Sequence, residues 1–196
     1  MHARRLACFL LGLWLGGGLF MAWVATQNFR EVDRLLSGED PAATLRLKPL
    51  GPQARFTMRY QASEMNRWLF RKWEVAQLIF GTAFLFLVLF GSRESKFVLA
   101  GVVLTLLLVL VQHLLITPEL IGLGRLIDFV PPEARSPDRQ KFWVMHTAYS
   151  GVEGAKWLLG LALTGKLVFA MDRGRSRHSR RELDSIDKSD YRRVNW

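Results

Sequence analysis

Four long blocks of apolar residues constrain this chain more than any other feature of its sequence. They occupy residues 6–26, 73–90, 97–116 and 142–169. The apolar residues are concentrated in these blocks and are not spread along the chain with helical or strand periodicity, a distribution typical of lipid-embedded segments. A helix needs about 20 mostly apolar residues to cross about 30 Å of hydrocarbon. We therefore predict an all-α integral membrane protein built as a four-transmembrane-helix bundle.

The first block has a second interpretation, because two arginines ahead of an apolar run are also typical of a secretory signal peptide. The run is longer than a typical signal core, and Trp23 stands in the motif AWVA where cleavage needs a small residue. We therefore expect the block to be retained as a span. The single cysteine leaves no partner for a disulfide within the chain.

The net charge of +10 does not by itself indicate nucleic-acid binding. The basic residues lie mainly in segments that flank the apolar blocks, where they would meet anionic lipid head groups. The basic C-terminal tail, residues 171–196, mixes eight basic with five acidic residues and has almost no apolar periodicity. We predict that this tail is disordered. We expect the lipid bilayer as a partner and no nucleic acid, with a homo-oligomer or a subunit of a membrane complex as further possibilities.

The linker between the first two blocks, residues 27–72, contains an amphipathic segment. Phe29, Val32, Leu35 and Leu36 share one helical face, which predicts an extension of the first helix near the membrane interface. An Asp-Pro step and the motif KPLGP then predict a break, after which the helix should form again towards the second block. Long loops cross membranes largely regardless of their charge. We therefore predict that both termini are cytoplasmic, in the plasma (inner) membrane of a bacterium.

Polar side chains collect at those ends of the spans that share one side of the membrane. Helices of a bundle alternate in direction, so the ends of the first and third spans lie beside the starts of the second and fourth. Polar residues at these ends could therefore converge in one half of the bundle. They are Gln27, Asn28, Glu74, Gln77, Gln112, His113 and His146.

The motif HTAYSGVEGAK adds a polar stripe to the fourth block. Steps of three or four residues place its polar side chains on one helix face, which we predict to look inward. An ionised group this deep in a span costs at least a few kcal/mol unless it is paired, protonated or hydrated. The stripe comprises His146, Tyr149, Ser150, Glu153 and either Lys156 or Trp157.

A purely structural role and three chemistries fit these polar residues. In the structural interpretation, Glu153 and Lys156 neutralise each other and hold helices together. The set His113, His146, Glu74 and Glu153 has side chains that suit a transition metal, and the two histidines could instead ligate haem. A proton relay or a site for a polar small molecule is the third chemistry.

These interpretations lead to one main function and two alternatives. No phosphate-binding loop, nucleophile elbow, paired-cysteine metal site or His-Glu-x-x-His motif occurs. We predict a small non-enzymatic membrane protein that presents a buried polar site or binds a membrane partner. A metal- or haem-binding redox or biosynthetic membrane protein, and an accessory subunit of a larger membrane complex, are the alternatives.

Two glycines of the first block, Gly12 and Gly16, lie four residues apart on one helix face. Such a pair lets another backbone approach closely. The partner helix could belong to a second copy of the chain. We favour a neighbouring span of the same chain.

Three sequence motifs follow one another along the chain. They are LGLWLGGGLFMAWVATQNFR, a Trp- and Gly-containing span ending in Phe-Arg; LLITPEL, a span ending near a proline; and FWVMHTAYSG, a span opening with Phe, His and small polar residues. Their order resembles a four-helix membrane family of unknown function that includes animal transmembrane protein 205. The resemblance covers roughly residues 6–169 and implies a four-helix fold. It also implies that Phe142, His146 and Ser150 correspond to positions in the family's fourth span.

Overall fold

A computed structural model shows a chain of helices, with no strand among the residues that it describes. It describes residues 2–91, 95–131, 134 and 136–194, and the side chains of these residues between 4 and 169. The helices are α1 (His2–Leu36), α2 (Pro41–Leu47), a 3-10 turn (Lys48–Leu50), α3 (Pro52–Gly91), α4 (Lys96–Val111), a π-helical turn (Gln112–Ile116), α5 (Thr117–Ile127) and α6 (Pro137–Val194).

Three helical segments within the described residues are long and apolar enough to cross a membrane, which indicates an integral membrane protein. The prediction of an all-helical membrane protein is confirmed to that extent, but the predicted count of four spans is not. The fourth block lies in α6, whose apolar run is interrupted by Glu153, Lys156 and Lys166. The three segments are Arg4–Leu36, Pro52–Gly91 and Lys96–Ile127.

Several polar side chains are buried inside the bundle, and many large apolar side chains are exposed on its outside. Glu74, Gln77 and Gln112 have no exposed surface, whereas Phe20 is 60 % exposed and Phe90 is 80 % exposed. Exposed large apolar side chains in such numbers are unusual on a water-soluble protein. A large apolar surface is unfavourable in water, so the burial pattern favours lipid around the helices.

One end of the bundle is closed by apolar side chains from four helices. This end combines the start of α1, the end of α3, the start of α4 and the middle of α6. We call it the apolar half. It consists of Ala7, Leu11, Phe84, Val88, Val98, Val102, Leu163 and Leu167.

Glycines bring the helices close together, but not the two that the sequence indicated. A Cβ placed at Gly12 or Gly16 would have no neighbouring atom within 4 Å, so the prediction that they contact another span of the same chain is wrong. Close packing occurs instead at Gly81, Gly101 and Gly160, where leucine side chains from neighbouring helices fill the space. The rotation of α1 in the bundle turns the predicted pair outward. An interface with a second copy stays a prediction.

The linker is helical over most of its length. Helix α1 continues to Leu36, and α2 begins where the Asp40 carboxylate accepts hydrogen bonds from two backbone N–H groups at 2.9 and 3.1 Å. At Gly51 the chain adopts a φ of 57°, and α3 follows. With 35 and 40 residues, α1 and α3 are about 52 and 60 Å long, roughly twice the hydrocarbon thickness. The predicted break and new helix are confirmed, while the interfacial location stays a prediction.

The third apolar block does not end at its proline. Residues Lys96 to Ile127 form one continuous helical segment, in which the Thr117 N–H bonds to the carbonyl of Gln112, five residues earlier. Pro118 has no N–H and its ring clashes with the carbonyl four residues before it. The wider π-helical turn accommodates this clash.

Helix α6 continues to Val194, over the segment for which the sequence predicted disorder. Beyond Gly174 the sequence contains no glycine or proline, and its arginines, lysine and glutamate have good intrinsic helix propensity even without apolar periodicity. The last two residues of the predicted tail, 195–196, lie outside the described residues, as do the side chains of the whole tail.

Candidate functional site

A chain of hydrogen bonds joins three helical segments in the half of the bundle opposite the apolar half. The Lys156 ammonium of α6 donates to Oε1 of Gln77 at 2.6 Å and to Oε1 of Glu153 at 2.8 Å. The Gln112 amide donates to the same Glu153 oxygen at 3.3 Å and to the Tyr149 carbonyl at 3.2 Å. These contacts tie α6 to α3 and to the π-helical turn.

A second group of contacts surrounds Glu74, which is fully buried in α3. Its Oε1 accepts a hydrogen bond from the hydroxyl of Thr117, and its Oε2 lies 3.0 Å from Nδ1 of His113. Both partners come from the π-helical turn or the residue after it. Tyr149 belongs to the set through its backbone carbonyl, which accepts from Gln112, and lies four residues before Glu153 on α6. We call the whole set the polar network: Glu74, Gln77, Gln112, His113, Thr117, Tyr149, Glu153 and Lys156.

Lys156 is the most deeply buried cation of the network, with 2 % of its surface exposed. Removing an ammonium from water costs several kcal/mol unless anions or acceptors replace its hydration. Its contacts with Glu153 and Gln77 supply that replacement. The Glu153 side chain remains 25 % exposed, so the ion pair has one buried and one accessible member.

The polar network contains buried polar atoms that lack a hydrogen-bond partner. Among the described residues these atoms are Nε2 of Gln77, Oε1 of Gln112 and the hydroxyl of Tyr149; Asp128 supplies a fourth, outside the network. Buried polar groups in proteins are nearly always hydrogen-bonded. Three unpartnered atoms in one network therefore indicate a place for ordered water or for a polar group of a ligand.

A cavity of about 690 Å³ lies beside the polar network, between α1, α3, α5 and α6. We call it the large cavity. Tyr149, Glu153 and Thr117 belong both to its wall and to the network. Apolar side chains, among them Phe70 and Ile121, form much of the remaining wall. The cavity thus combines an apolar wall with a polar floor, as ligand sites commonly do.

Two asparagines hold α1 against α3 at the wall of the large cavity. The Asn28 amide donates to Oδ1 of Asn66 at 2.5 Å, and Asn66 donates to the Ala25 carbonyl at 3.0 Å. Arg30, which also lines the cavity, is exposed. It makes no hydrogen bond or ion pair with any residue that the structure describes.

A second arginine of the cavity wall, Arg67, is fully engaged. It bonds to Glu64 at 2.7 Å and to Asp128 at 2.8 Å, and Arg125 also bonds to Glu64. Glu64 accepts hydrogen bonds from both arginines, at 2.7 Å from Arg67 and at 2.9 and 3.1 Å from Arg125. This cluster ties the end of α5 to α3. Gly124 makes room for it, since a Cβ there would lie 2.8 Å from the Arg67 guanidinium.

On the other side of Lys156 lies a small cavity of about 10 Å³. Its wall includes Thr105 and Trp14, and Phe84 and Leu163 of the apolar half. This volume is about that of one water molecule by the same measure. The polar region therefore ends at Lys156, because the apolar half begins beyond it.

The chain matches no known protein family, curated protein or solved structure. The site is therefore interpreted from its geometry alone. The resemblance to the transmembrane protein 205 family stays a prediction that rests on the sequence motifs.

Most residues that the sequence placed in one half of the bundle are in contact there. Glu74, Gln77, His113, Tyr149, Glu153, Lys156 and Gln112 are all members of the polar network. His146 and Ser150 share their helix face, but they are exposed and line the large cavity.

The four predicted metal ligands are not gathered into one group. Among the side chains that the structure describes, which lie between residues 4 and 169, no three His, Cys, Asp or Glu side chains are close enough to hold a metal ion. His113 pairs with Glu74, whereas the His146 ring contacts Phe142 and Trp143. No hydrogen bond or ring contact in this part of the chain joins the two histidines, so the geometry gives no support to a shared metal or haem.

The residues of the site that were not predicted include Arg30, Asn66, Arg67 and Thr117. Thr117 lies four residues after His113, so helical periodicity places the two on one face and could have indicated it. Asn66 and Arg67 lie in the later part of the linker, where the prediction was only that a helix forms again. Their role depends on the side-by-side packing of α1, α3 and α5, which no local sequence pattern indicates.

Proposed function

We propose that this chain is a non-enzymatic integral membrane protein with four spans, which binds an amphipathic small molecule in the large cavity. The observation that carries this proposal is the shared wall between that cavity and the polar network. Tyr149, whose buried hydroxyl has no hydrogen-bond partner among the described residues, belongs to both. A ligand with an apolar body and a polar end would match the wall and the floor together.

The position of α6 supports its assignment as the fourth span. It packs against α1, α4 and α5, and its charged Lys156 and Glu153 are paired with each other. Its outward residues Leu158 and Leu161 are 71 % and 53 % exposed, as expected for a lipid-facing surface. Pairing reduces the cost of charges in a span. A criterion based on composition alone therefore underestimates the ability of α6 to cross a membrane.

The number of spans can be tested with reporter proteins fused to each end of the chain. Four spans place both reporters on the same side, which we propose to be the cytoplasm of a bacterial cell. Three spans would place them on opposite sides. A reporter pair on opposite sides would contradict the assignment of α6.

The cavity also has a suitable depth for a membrane amphiphile. Its α3 residues lie between 63 and 70, ahead of the apolar block 73–90, and its α6 residues include the start of the fourth block. These positions correspond to the boundary between hydrocarbon and head groups. An amphiphile could therefore enter the cavity from the bilayer at this level.

Binding fits the structure better than transport does. The apolar half closes the bundle on the far side of Lys156, and the small cavity there has room for about one water. A transport pathway would need polar groups or water through both halves. The described residues supply them in one half.

Occlusion of the large cavity is the direct test of this proposal. Ala22 lines the cavity on α1, so Ala22→Trp should fill part of it and reduce the amphiphile that co-purifies with the protein or binds when added. Native mass spectrometry of the full chain in mild detergent measures both. Leu19→Trp is the matched control, because Leu19 is on the same helix and 59 % exposed. Equal ligand retention in the two variants would contradict the proposal.

A further inference from the structure

We infer that the ligand of the large cavity is a zwitterionic amphiphile, with a primary ammonium bound at Glu153 and Tyr149 and an acidic phosphate group at Arg30. This inference rests on the proposed function and names the head group of its ligand. It follows from three features of the cavity: the accessible carboxylate of Glu153, the aromatic rings around it, and the Arg30 guanidinium, which has no partner among the described residues.

The floor of the cavity offers acceptors to an ammonium group. Both donors to Glu153, Lys156 and Gln112, end on Oε1. Its Oε2 accepts no hydrogen bond from any described residue, and the side chain lines the cavity with 25 % of its surface exposed. The Tyr149 hydroxyl is buried and makes no hydrogen bond with any described residue, and Tyr149 lines the same cavity. A primary ammonium has three N–H donors, enough to reach both oxygens.

The charged side chains of the polar network also favour an ammonium group on the ligand. Two carboxylates, those of Glu74 and Glu153, accompany the one ammonium of Lys156. The network therefore contains more carboxyl than ammonium groups, and its remaining basic side chain is the imidazole of His113. Buried charges are stable mainly when paired, so a cationic ligand group would complete the pairing, whereas an anionic group would oppose it.

Aromatic rings surround this position. Phe70 and Tyr149 pack edge to face with ring centroids 5.8 Å apart, and Phe142 also lines the cavity. Aromatic faces attract cations. The chain already uses this interaction at the edge of the cavity, where the Arg59 guanidinium lies 5.2 Å from the Phe29 ring centroid.

The acidic group of the ligand has one available partner. Arg67 is occupied by Glu64 and Asp128, while Arg30 has no partner among the described residues and is exposed at the cavity wall. A guanidinium matches a phosphate group geometrically and can bind it through two hydrogen bonds. A purely cationic amphiphile would leave Arg30 unpaired and would add a second positive charge, so a zwitterion fits both ends of the site.

The test compares three lipids with identical acyl chains on the full chain in mild detergent: phosphatidylethanolamine, phosphatidylglycerol and diacylglycerol. Native mass spectrometry measures the bound fraction. We expect phosphatidylethanolamine to bind about tenfold more tightly than the other two, the ratio that about 1.4 kcal/mol produces. Glu153→Gln should remove its advantage over phosphatidylglycerol.

Arg30→Gln provides a variant at an exposed position, where folding is not at risk. This substitution should weaken the binding of phosphatidylethanolamine but not the binding of a long-chain primary amine with the same tail. Arg34→Gln is the matched control, because Arg34 lies on the same helix and is paired with Glu31 outside the cavity. This control should change the binding of neither ligand.

The outcomes separate the two proposals. Equal binding of all three lipids, or preference for phosphatidylglycerol, with loss of binding in Ala22→Trp, would overturn the zwitterion inference and leave the cavity function intact. An equal effect of Arg30→Gln on the amine and on phosphatidylethanolamine would likewise overturn it. No binding of any amphiphile by the unaltered chain would overturn both.

Discussion

The buried ammonium of Lys156 allows the energetics of the polar network to be measured directly. Lys156→Met keeps a side chain of similar length and removes the charge. It leaves the Glu153 carboxylate without its ion-pair partner and removes the only hydrogen bond that the Gln77 amide makes among the described residues. Breaking a buried ion pair costs about 3–5 kcal/mol. Because Glu153 is 25 % exposed, we expect the lower end, about 3 kcal/mol.

The second side chain of the pair completes a double-mutant cycle. Glu153→Gln leaves the Lys156 ammonium, which is almost fully buried, with neutral acceptors only, and should cost about 3–5 kcal/mol. The double variant contains neither charge. Its loss of stability should be smaller than the sum of the single losses by about 1–2 kcal/mol, since residues in one network are not additive.

The free energy of unfolding can be obtained by titrating the protein in mixed micelles with a denaturing detergent and following helix content by circular dichroism. Lys166→Met is the matched control on the same helix, because Lys166 is exposed and lies 4.5 Å from the Phe97 ring centroid. Loss of that cation–π contact should cost less than about 1 kcal/mol. If Lys156→Met costs no more than the control, or if the cycle shows no coupling, the network does not stabilise the bundle as argued.

Three further substitutions test the packing and the site. A methyl group at Gly81 would approach a leucine methyl to 2.5 Å, so Gly81→Ala should lower the unfolding free energy by about 1–2 kcal/mol. Gly16→Ala should not lower it. Equal effects of the two substitutions in the same titration would contradict the observed packing. Gly124→Ala should displace the Arg67 guanidinium and lower the thermal midpoint by a few degrees, and an unchanged midpoint would mean that the arginine adapts without loss. Thr117→Val removes a donor to a fully buried carboxylate and should cost about 1–3 kcal/mol; a neutral result in the detergent titration would show that another donor replaces the hydroxyl.

The sequence predicted which polar residues meet because the argument depended only on helix direction. Alternating helices bring the ends that carry Glu74, Gln112 and His113 to one side, whatever their rotation. In the structure Glu74 contacts His113, and Gln112 contacts Tyr149 and Glu153. The rotation of each helix about its own axis could not be predicted in this way. Gly12 and Gly16 have the expected spacing, yet Gly81, Gly101 and Gly160 are examples of the glycines that neighbouring helices approach closely.

The large cavity lies beyond sequence reasoning for a different physical reason. Its volume is the space left between α1, α3, α5 and α6, so it depends on the distances between helix axes. The π-helical turn has a recognisable cause in Pro118, but the sequence does not say whether a proline ends a helix or widens it. Here the helix continues, and this continuation brings Thr117 to Glu74.

The apolar half also determines where a transmembrane voltage would act. Water and ions in the large cavity carry the electrical potential of their own side down to its floor, so the voltage would fall mainly across the apolar side chains around Phe84 and Leu167. A charge that crosses the full voltage changes energy by about 2.3 kcal/mol per 100 mV. A ligand head group bound in the cavity would cross almost none of it, so its occupancy should be the same in energised and de-energised vesicles.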